Sequence, residues 1–246
     1  MTDFNEQIKQ LSHYIKTSNN TVFFGGAGVS TESGIPDFRS ENGLFKAMKV
    51  YGYPPETLLS RRYFDSEREL FFRYYKENLI ALDAEPNAAH IALAELEQAG
   101  KLRAVITQNV DGLHQAAGSK NAIELHGSNH RQYCMECGEK YSLEYILKQD
   151  IVPKCEKCGG VVRPDIVLYE EQLNIEATSA AIHAISEAEL LIVGGTSLSV
   201  YPAAGMLRYF SGGALVLINK SETSADINAE LVIHDSIGKV LSAVKI

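Results

Sequence analysis

Four cysteines are the chain's whole complement, and they fall into two pairs: Cys134-x-x-Cys137 and Cys155-x-x-Cys158, with 17 residues between the pairs. Each C-x-x-C knuckle offers two thiolates to one side of a tetrahedral ion, so two knuckles fill all four positions of a zinc site. A filled shell leaves no position for water or substrate, so such a zinc holds structure together and does no chemistry. A glycine follows each pair (Gly138, Gly159), as a tight knuckle requires. Two disulfides or a redox dithiol are the other uses of four thiols; neither suits a reducing compartment.

Two further groups of residues could do chemistry. Val22 to Phe24 form a β-prone run that empties into Gly25-Gly26-Ala27-Gly28-Val29-Ser30. Glycines after a strand let a backbone approach a phosphate, and a following helix start would receive its charge. The pattern is incomplete, because Thr31 stands where a third glycine would fall and no acidic ribose holder follows at the usual distance. A plain tight turn is the competing reading. Gly34 to Arg39 (GIPDFR) is poor as helix or strand and reads as a loop whose Phe and Arg could wall a sugar and meet a phosphate. The second group is Thr107-Gln108-Asn109-Val110-Asp111-Gly112-Leu113-His114, a polar cluster closing an apolar strand. Nearby, His126 ends another short apolar run. A lone histidine is most often a hydrogen-bonded core residue, yet an imidazole is suited to take a hydroxyl proton near neutral pH.

Something must position these residues, and the rest of the chain reads as that scaffold. Phe4, Ile8, Leu11 and Ile15 recur at helical spacing. RAVITQN (103–109), ELLIVGG (189–195) and ALVLIN (214–219) read as buried strands. Between them lie amphipathic helices: one over 65–82 with a stripe of Leu70, Phe71, Tyr74, Tyr75 and Leu79, one opened by Pro86, one over 176–188, one from Pro202 and one from Ser236. Apolar strands alternating with helices predict an α/β fold with a Rossmann-like parallel sheet. The aromatic helical stretch 41–83 and the cysteine stretch 128–164 interrupt the alternation and predict a smaller inserted domain. Residues 1–40, 84–127 and 165–246 then form the Rossmann-like domain.

Apolar residues at 45% and charged residues at 22% are proportions of a globular chain, not a disordered one. The net charge of −8, without a basic stripe, argues against nucleic-acid binding and leaves room for a basic peptide partner. No apolar run is long enough to span a membrane, and the polar start MTDFNEQIKQ lacks the layout of a secretion signal, so a cytoplasmic location is expected.

Together, GAGVS, GIPDFR, TQNVDGLH, LHG, the two knuckles, RPDIVLY, GTSLSVYPAA and LIN resemble, in order and over nearly the whole chain, the sirtuin family of its bacterial type. That resemblance implies an NAD-consuming protein-lysine deacylase. Nicotinamide leaves NAD, and the acyl group of a modified lysine ends on the ribose of ADP-ribose. It implies His126 as the base, Asn109 as holder of the nicotinamide ribose and a water, and Asp111, with backbone from Ile35 and Val110, as holder of the nicotinamide amide. Phe38 would shield the reactive carbon. Gly26, Ala27, Gly28, Thr31, Asp37, Arg39, Gln108, Thr196, Ser197 and Asn219 would contact NAD, with Ile237 near the adenine. A peptide would lie as an added strand between Val167, Leu168, Tyr169 and Glu170 on one side and the Val200 segment on the other.

Two departures stand out: Gly25 replaces the loop's usual threonine, and Glu170 replaces a usual glycine. The helix 65–82 places Phe72 and Tyr75 where members that prefer acidic acyl chains carry Tyr-x-x-Arg, which predicts poor use of succinyl-lysine; alternatively, that helix only packs the small domain. A mono-ADP-ribosyltransferase on the same scaffold, a zinc-containing dehydrogenase and a non-catalytic NAD-binding zinc-ribbon module are the competing functions.

Overall fold

The computed structural model describes residues 3–37 and 41–245, with 41–45 as backbone only. Helix α1 (Phe4–Thr17) starts at Asp3, whose carboxylate accepts the Asn5 amide, and buries Ile8, Leu11 and Ile15 as its spacing predicts. Strands follow at β1 (Thr21–Gly25), β2 (Ala104–Thr107), β3 (Ala122–Glu124), β4 (Gly127–Cys134), β5 (Lys140–Ser142), β6 (Val162–Ile166), β7 (Leu190–Gly194), β8 (Ala214–Ile218) and β9 (Leu231–Ile233). The remaining helices are α2 (Glu41–Tyr51), α3 (Pro55–Leu58), α4 (Arg61–Ser66), α5 (Arg68–Asn78), α6 (Ala88–Gln98), α7 (Leu113–Ala116), α8 (Leu143–Lys148), α9 (Ile175–Glu187) and α10 (Ile237–Ser242).

Among the described residues the larger sheet has the order β3-β2-β1-β7-β8-β9, with every pairing parallel. Its strands are apolar on both faces because helices cover both. Phe23, Val105, Ile192 and Val216 face α1, α6 and α10, while Val22, Phe24, Ile106, Leu191 and Val193 face α9. The chain builds outward from β1 to β3, then returns to lay β7 on the other side of β1. That reversal opens a crevice at the carboxyl ends of β1 and β7, where open α/β sheets bind ligands.

A smaller antiparallel sheet, β5-β4-β6, carries the cysteines. It shares one core with the helical stretch: Phe64, Phe71, Phe72, Tyr74 and Tyr75 pack against Cys134, Ile146, Cys155, Val162 and Ile166. The two interruptions in the sequence are thus one packed body.

Three local expectations are corrected. The helix predicted over 65–82 is two helices, α4 and α5, broken at Glu67, whose φ and ψ of −126° and 52° are not helical. The helix predicted to open at Pro86 begins two residues later, because Asn87 and not proline caps it. The stretch after Pro202 is a 3₁₀ helix, Ala203–Tyr209.

Candidate active site

The crevice is floored by two loops in contact. Gly28 N–H donates to the Gly195 carbonyl at 2.8 Å. A Cβ on Gly28 would stand 2.7 Å from Gly195 Cα, and one on Gly26 would stand 2.9 Å from Thr196 Cβ. These glycines therefore serve the approach of two backbones to each other; the opening onto ligand lies above them. Two 3₁₀ turns, Ala27–Val29 and Thr31–Ser33, follow the glycines instead of the expected helix. The Thr31 hydroxyl closes the first turn by donating to the Gly28 carbonyl at 2.9 Å.

The polar end of β2 is tied into the same floor. Gln108 Nε2 donates to Thr196 Oγ1 at 3.1 Å, and Thr196 N–H donates to Asn219 Oδ1 at 2.9 Å. Asn219 Nδ2 is buried and has no partner among the described residues. Such an orphaned donor under the 195–197 loop, beside a cradle that admits no Cβ, fits a nucleotide held above.

Asp111 is held at both oxygens: Oδ1 accepts Leu113 N–H at 3.0 Å and Oδ2 accepts the Ser30 hydroxyl at 2.7 Å. Asn109 Nδ2 donates to the same Ser30 oxygen at 2.9 Å. His126 Nδ1 lies 2.8 Å from the Gln108 carbonyl. A carbonyl only accepts, so Nδ1 carries the proton and the neutral ring keeps its basic lone pair on Nε2.

Most of the predicted residues converge on this one cleft: Gly26, Ala27, Gly28, Ile35, Asp37, Gln108, Asn109, Val110, Asp111, His126, Thr196, Ser197, Val167, Leu168, Tyr169, Glu170 and Val200 all line it. Others do not. Phe38 and Arg39 lie outside the described residues. Thr31 and Asn219 act from behind the wall. Ile237 is buried in the core against the α1 side of the sheet, so its side chain does not face the cleft.

The expected peptide-docking segment is firmly built. Val167 N–H donates to the His126 carbonyl at 2.9 Å, and Tyr169 pairs with Leu59 and Arg61 through its N–H and C=O at 3.0 and 2.9 Å. Tyr169 is therefore committed by its backbone to the helical stretch, which narrows any strand addition to its neighbours. Glu171 forms a largely buried ion pair with Arg163 at 2.7 Å, and that guanidinium, with a Leu168 N–H bond, holds its carboxyl below the usual range although burial alone would raise it. Glu170, where the resemblance leads to glycine, has φ of +74°, a conformation that strains a side-chain-bearing residue by about 1 kcal/mol. Its carboxylate offsets this by accepting Arg62 N–H and the Arg62 guanidinium, both at 3.0 Å.

The four cysteines converge as predicted. Their sulfurs lie within 4.8 Å of one another, with Cys134–Cys158 at 3.5 Å and Cys137–Cys155 at 3.6 Å. Those gaps are too long for disulfides and match the edge of a tetrahedron with zinc–sulfur bonds of about 2.3 Å. Gly138 and Gly159, at φ of +72° and +76°, each return an N–H to the first cysteine of its knuckle. Tyr141 Oη accepts Glu156 N–H at 3.0 Å, so its own proton is directed at Cys155 Sγ, 3.1 Å away. Tyr141→Phe is therefore expected to weaken zinc retention by about 10-fold or more while leaving the far-UV spectrum unchanged, as outer-shell losses do. Competition with a chromophoric chelator measures this, and unchanged retention would remove Tyr141 from the site.

Two residues that reasoning from sequence did not single out belong here. They are Ser30, which the sequence offers only within GAGVS, and His90, whose available signal is the pattern Asn87-x-x-His90 at a helix start.

Comparison with known proteins agrees with this geometry. The Sir2 family model matches residues 26–202. Proteins named NAD-dependent protein deacetylase from Clostridium acetobutylicum and Clostridium tetani are 59% and 56% identical to this chain, covering 97% and 96% of it and 98% and 96% of their own lengths. A solved Sir2 structure with a deacetylated p53 peptide and 3'-O-acetyl-ADP-ribose superposes with a TM-score of 0.89 at 42% identity, covering 96% of both chains. Another, Sir2Tm bound to a propionylated peptide, gives 0.84 at 41% identity, covering 95% of both. A glycine-floored cleft at the sheet's reversal point, joined to a four-cysteine module, defines a nucleotide-binding α/β protein with a structural metal. The chain belongs to the Sir2 family.

Proposed function

We propose that this protein is an NAD-dependent protein-lysine deacetylase. The observation that carries the reading is the meeting of His126, Asn109 and Asp111 with the glycine loop in one cleft beside the Val167–Glu171 wall. When bound, NAD supplies a ribose carbon that loses nicotinamide and an adjacent hydroxyl that receives the acyl group. His126, its proton fixed on Nδ1 by Gln108, takes the proton of that hydroxyl at Nε2. Asn109 holds the ribose, and Asp111 with backbone of Ile35 and Val110 holds the nicotinamide amide. Gly26, Ala27, Gly28, Gln108, Thr196 and Ser197 receive the phosphates and sugars. Val167 to Glu170 and Val200 flank the peptide. Cys134, Cys137, Cys155 and Cys158 hold one structural zinc, which keeps the small body, and with it one wall of the cleft, in place. Residues 1–40, 84–127 and 165–246 form the NAD-binding domain, with 41–83 and 128–164 as the small domain.

No described helix is long and apolar enough to cross a membrane. Four free thiols gathered as a set that could hold one ion suit a reducing compartment, which supports a cytoplasmic location.

Mass spectrometry of an acetyl-lysine peptide incubated with NAD tests the reading. Loss of one acetyl group with release of nicotinamide and O-acetyl-ADP-ribose is expected. A peptide heavier by ADP-ribose would identify a transferase instead, and an unchanged peptide would leave only a binding module.

The acyl preference follows from the lining. Phe72 and Tyr75 do not line the cleft; they sit in the aromatic core behind it, with Phe71 and Phe72 rings 5.4 Å apart. Arg73 is exposed. This packing supports the alternative that the helix serves the small domain. The cleft wall instead presents Pro55, Leu59, Leu79, Val110 and Ile166, and its charged side chains among the described residues are Asp37, Glu56, Asp111, Glu170 and Glu171, all acidic. A succinyl carboxylate would meet carboxylates and, among the described residues lining the cleft, no cation, which is costly inside a cleft. Acetyl- and butyryl-lysine peptides should therefore show kcat/KM at least about 10-fold above a matched succinyl peptide, a loss of the size expected for an uncompensated charge. Equal use of the succinyl peptide would refute this.

A further inference from the structure

Ser30 stands at the centre of the polar array: Asp111 takes its proton and Asn109 fills one of its lone pairs, but among the described residues no other cleft group meets the second lone pair. A buried histidine outside the cleft does. His90 is the third residue of α6 and has no exposed surface. Its Nδ1 receives the backbone N–H of Asn87 at 3.2 Å, closing a capping box in which the Asn87 side chain caps the helix in return. An N–H can only donate, so Nδ1 is unprotonated. The neutral ring's single proton is therefore on Nε2, which lies 3.5 Å from Ser30 Oγ. Burial keeps the ring neutral by lowering its pKa, more than Asp111 and Glu32 raise it. The ring of His114, itself buried and held neutral with its pKa lowered to about 3, packs across His90 at 4.7 Å.

A hydroxyl has one proton and two lone pairs. At Ser30 one lone pair faces the His90 Nε2–H and the other accepts from Asn109 Nδ2, which leaves the proton for Asp111 Oδ2. The cap of α6 sets the His90 tautomer, the tautomer makes Ser30 an acceptor on that side, and Ser30 then fixes the Asp111 carboxylate and the outward face of the Asn109 amide. Asn87 ties the same helix start to the loop by donating to the Val29 carbonyl at 2.8 Å and Ser33 Oγ at 2.9 Å, so ring and hydroxyl cannot drift apart independently.

We propose that His90 is a positioning residue for NAD: as the Nε2–H tautomer it orients, through Ser30, the Asp111 and Asn109 groups that meet the nicotinamide end. This rests on the roles given to Asp111 and Asn109 in the proposed function.

Glutamine is the common partner in a capping box, and it offers both an acceptor for Asn87 N–H and a donor for Ser30. Methionine fills similar space and offers neither. H90Q is therefore expected to restore what H90M loses. H90M should lower kcat/KM for NAD by about 10–100-fold, the effect of losing one hydrogen bond in a charged network, with the KM for peptide little changed. In an S30A background H90M should add no further loss, because the path it acts through is gone. Long-range 1H–15N correlation of the wild-type protein should show His90 as the Nε2–H tautomer.

An H90Q as impaired as H90M, an H90M loss undiminished in S30A, or an Nδ1–H tautomer would each overturn the inference. Should H90M fail to fold, the H90Q kinetics and the wild-type tautomer decide it. A wild-type protein that releases no nicotinamide would instead refute the proposed function, and the tautomer spectrum would still report on His90.

Discussion

His126→Ala is expected to bind NAD as the wild type does and to lose acyl transfer by about 10²–10⁴-fold, the usual contribution of a general base. The ring follows β3 and leans on the Gln108 carbonyl, so its orientation comes from the backbone that closes β2. Gln108 is in turn fixed by Thr196 and by its own N–H bond to Gly25. Alanine removes the ring without touching these ties, and the Val167 amide keeps its bond to the backbone carbonyl at 126. The glycine floor and the cleft walls therefore stand, and NAD affinity is preserved. What is lost is a lone pair at Nε2 held by a proton fixed at Nδ1. Single-turnover conversion of an acetyl-lysine peptide, set beside calorimetric NAD binding, separates these effects. Turnover at the wild-type rate would take the base role from His126. A parallel loss of NAD binding would mean that the ring supports the floor.

Much of this arrangement was legible in sequence because it rests on patterns that repeat. Val22, Phe23 and Phe24 announce a strand buried on both faces, and the two C-x-x-C knuckles announce a shared ion, since each is a local rule. The polar residues after Thr107 could be placed at a ligand crevice because parallel strands open at their carboxyl ends. What escaped was set by contacts distant in sequence. Glu67 reads as an unremarkable helical residue, yet its backbone leaves the helical region, and the helices on either side of it share one core with the cysteine sheet. Glycines 26 and 28 line the cleft, where a phosphate cradle would lie, and their second task, clearing space for Gly195 and Thr196, is set by a contact no local pattern encodes. Ile237 carries an apolar side chain that could serve a ligand or a core equally, and the core took it. Glu170 looks like a lost glycine, yet it takes a left-handed backbone and its carboxylate holds it there through Arg62, a contact 108 positions away. His90 could have been found from its cap spacing, but its link to Ser30 spans 60 positions and no periodicity encodes it.

Cys137→Ser is expected to reduce bound zinc from one ion per chain to well below that and to destabilise the small body. Serine's hydroxyl is a far weaker zinc ligand than a thiolate, and the remaining three sulfurs would leave a tetrahedral position open. The consequence spreads because the site is built into a core. Cys134 and Cys155 are buried among the aromatic residues of α4 and α5, while Cys137 and Cys158 face outward. Without the ion, three thiols and a serine hydroxyl are left where zinc had coupled the two knuckles, and in small metal modules the binding free energy is folding free energy. The antiparallel sheet would loosen first. Since β6 runs directly into Val167, and Tyr169 is paired with Leu59 and Arg61, the wall beside His126 would loosen with it. The parallel sheet has its own cores on both faces and should persist, so the melt is expected to split into two transitions. Metal analysis, a calorimetric melt and acetyl-peptide turnover measure the three parts. A soluble, fully active protein with no zinc would show that the knuckles need no ion to hold the cleft.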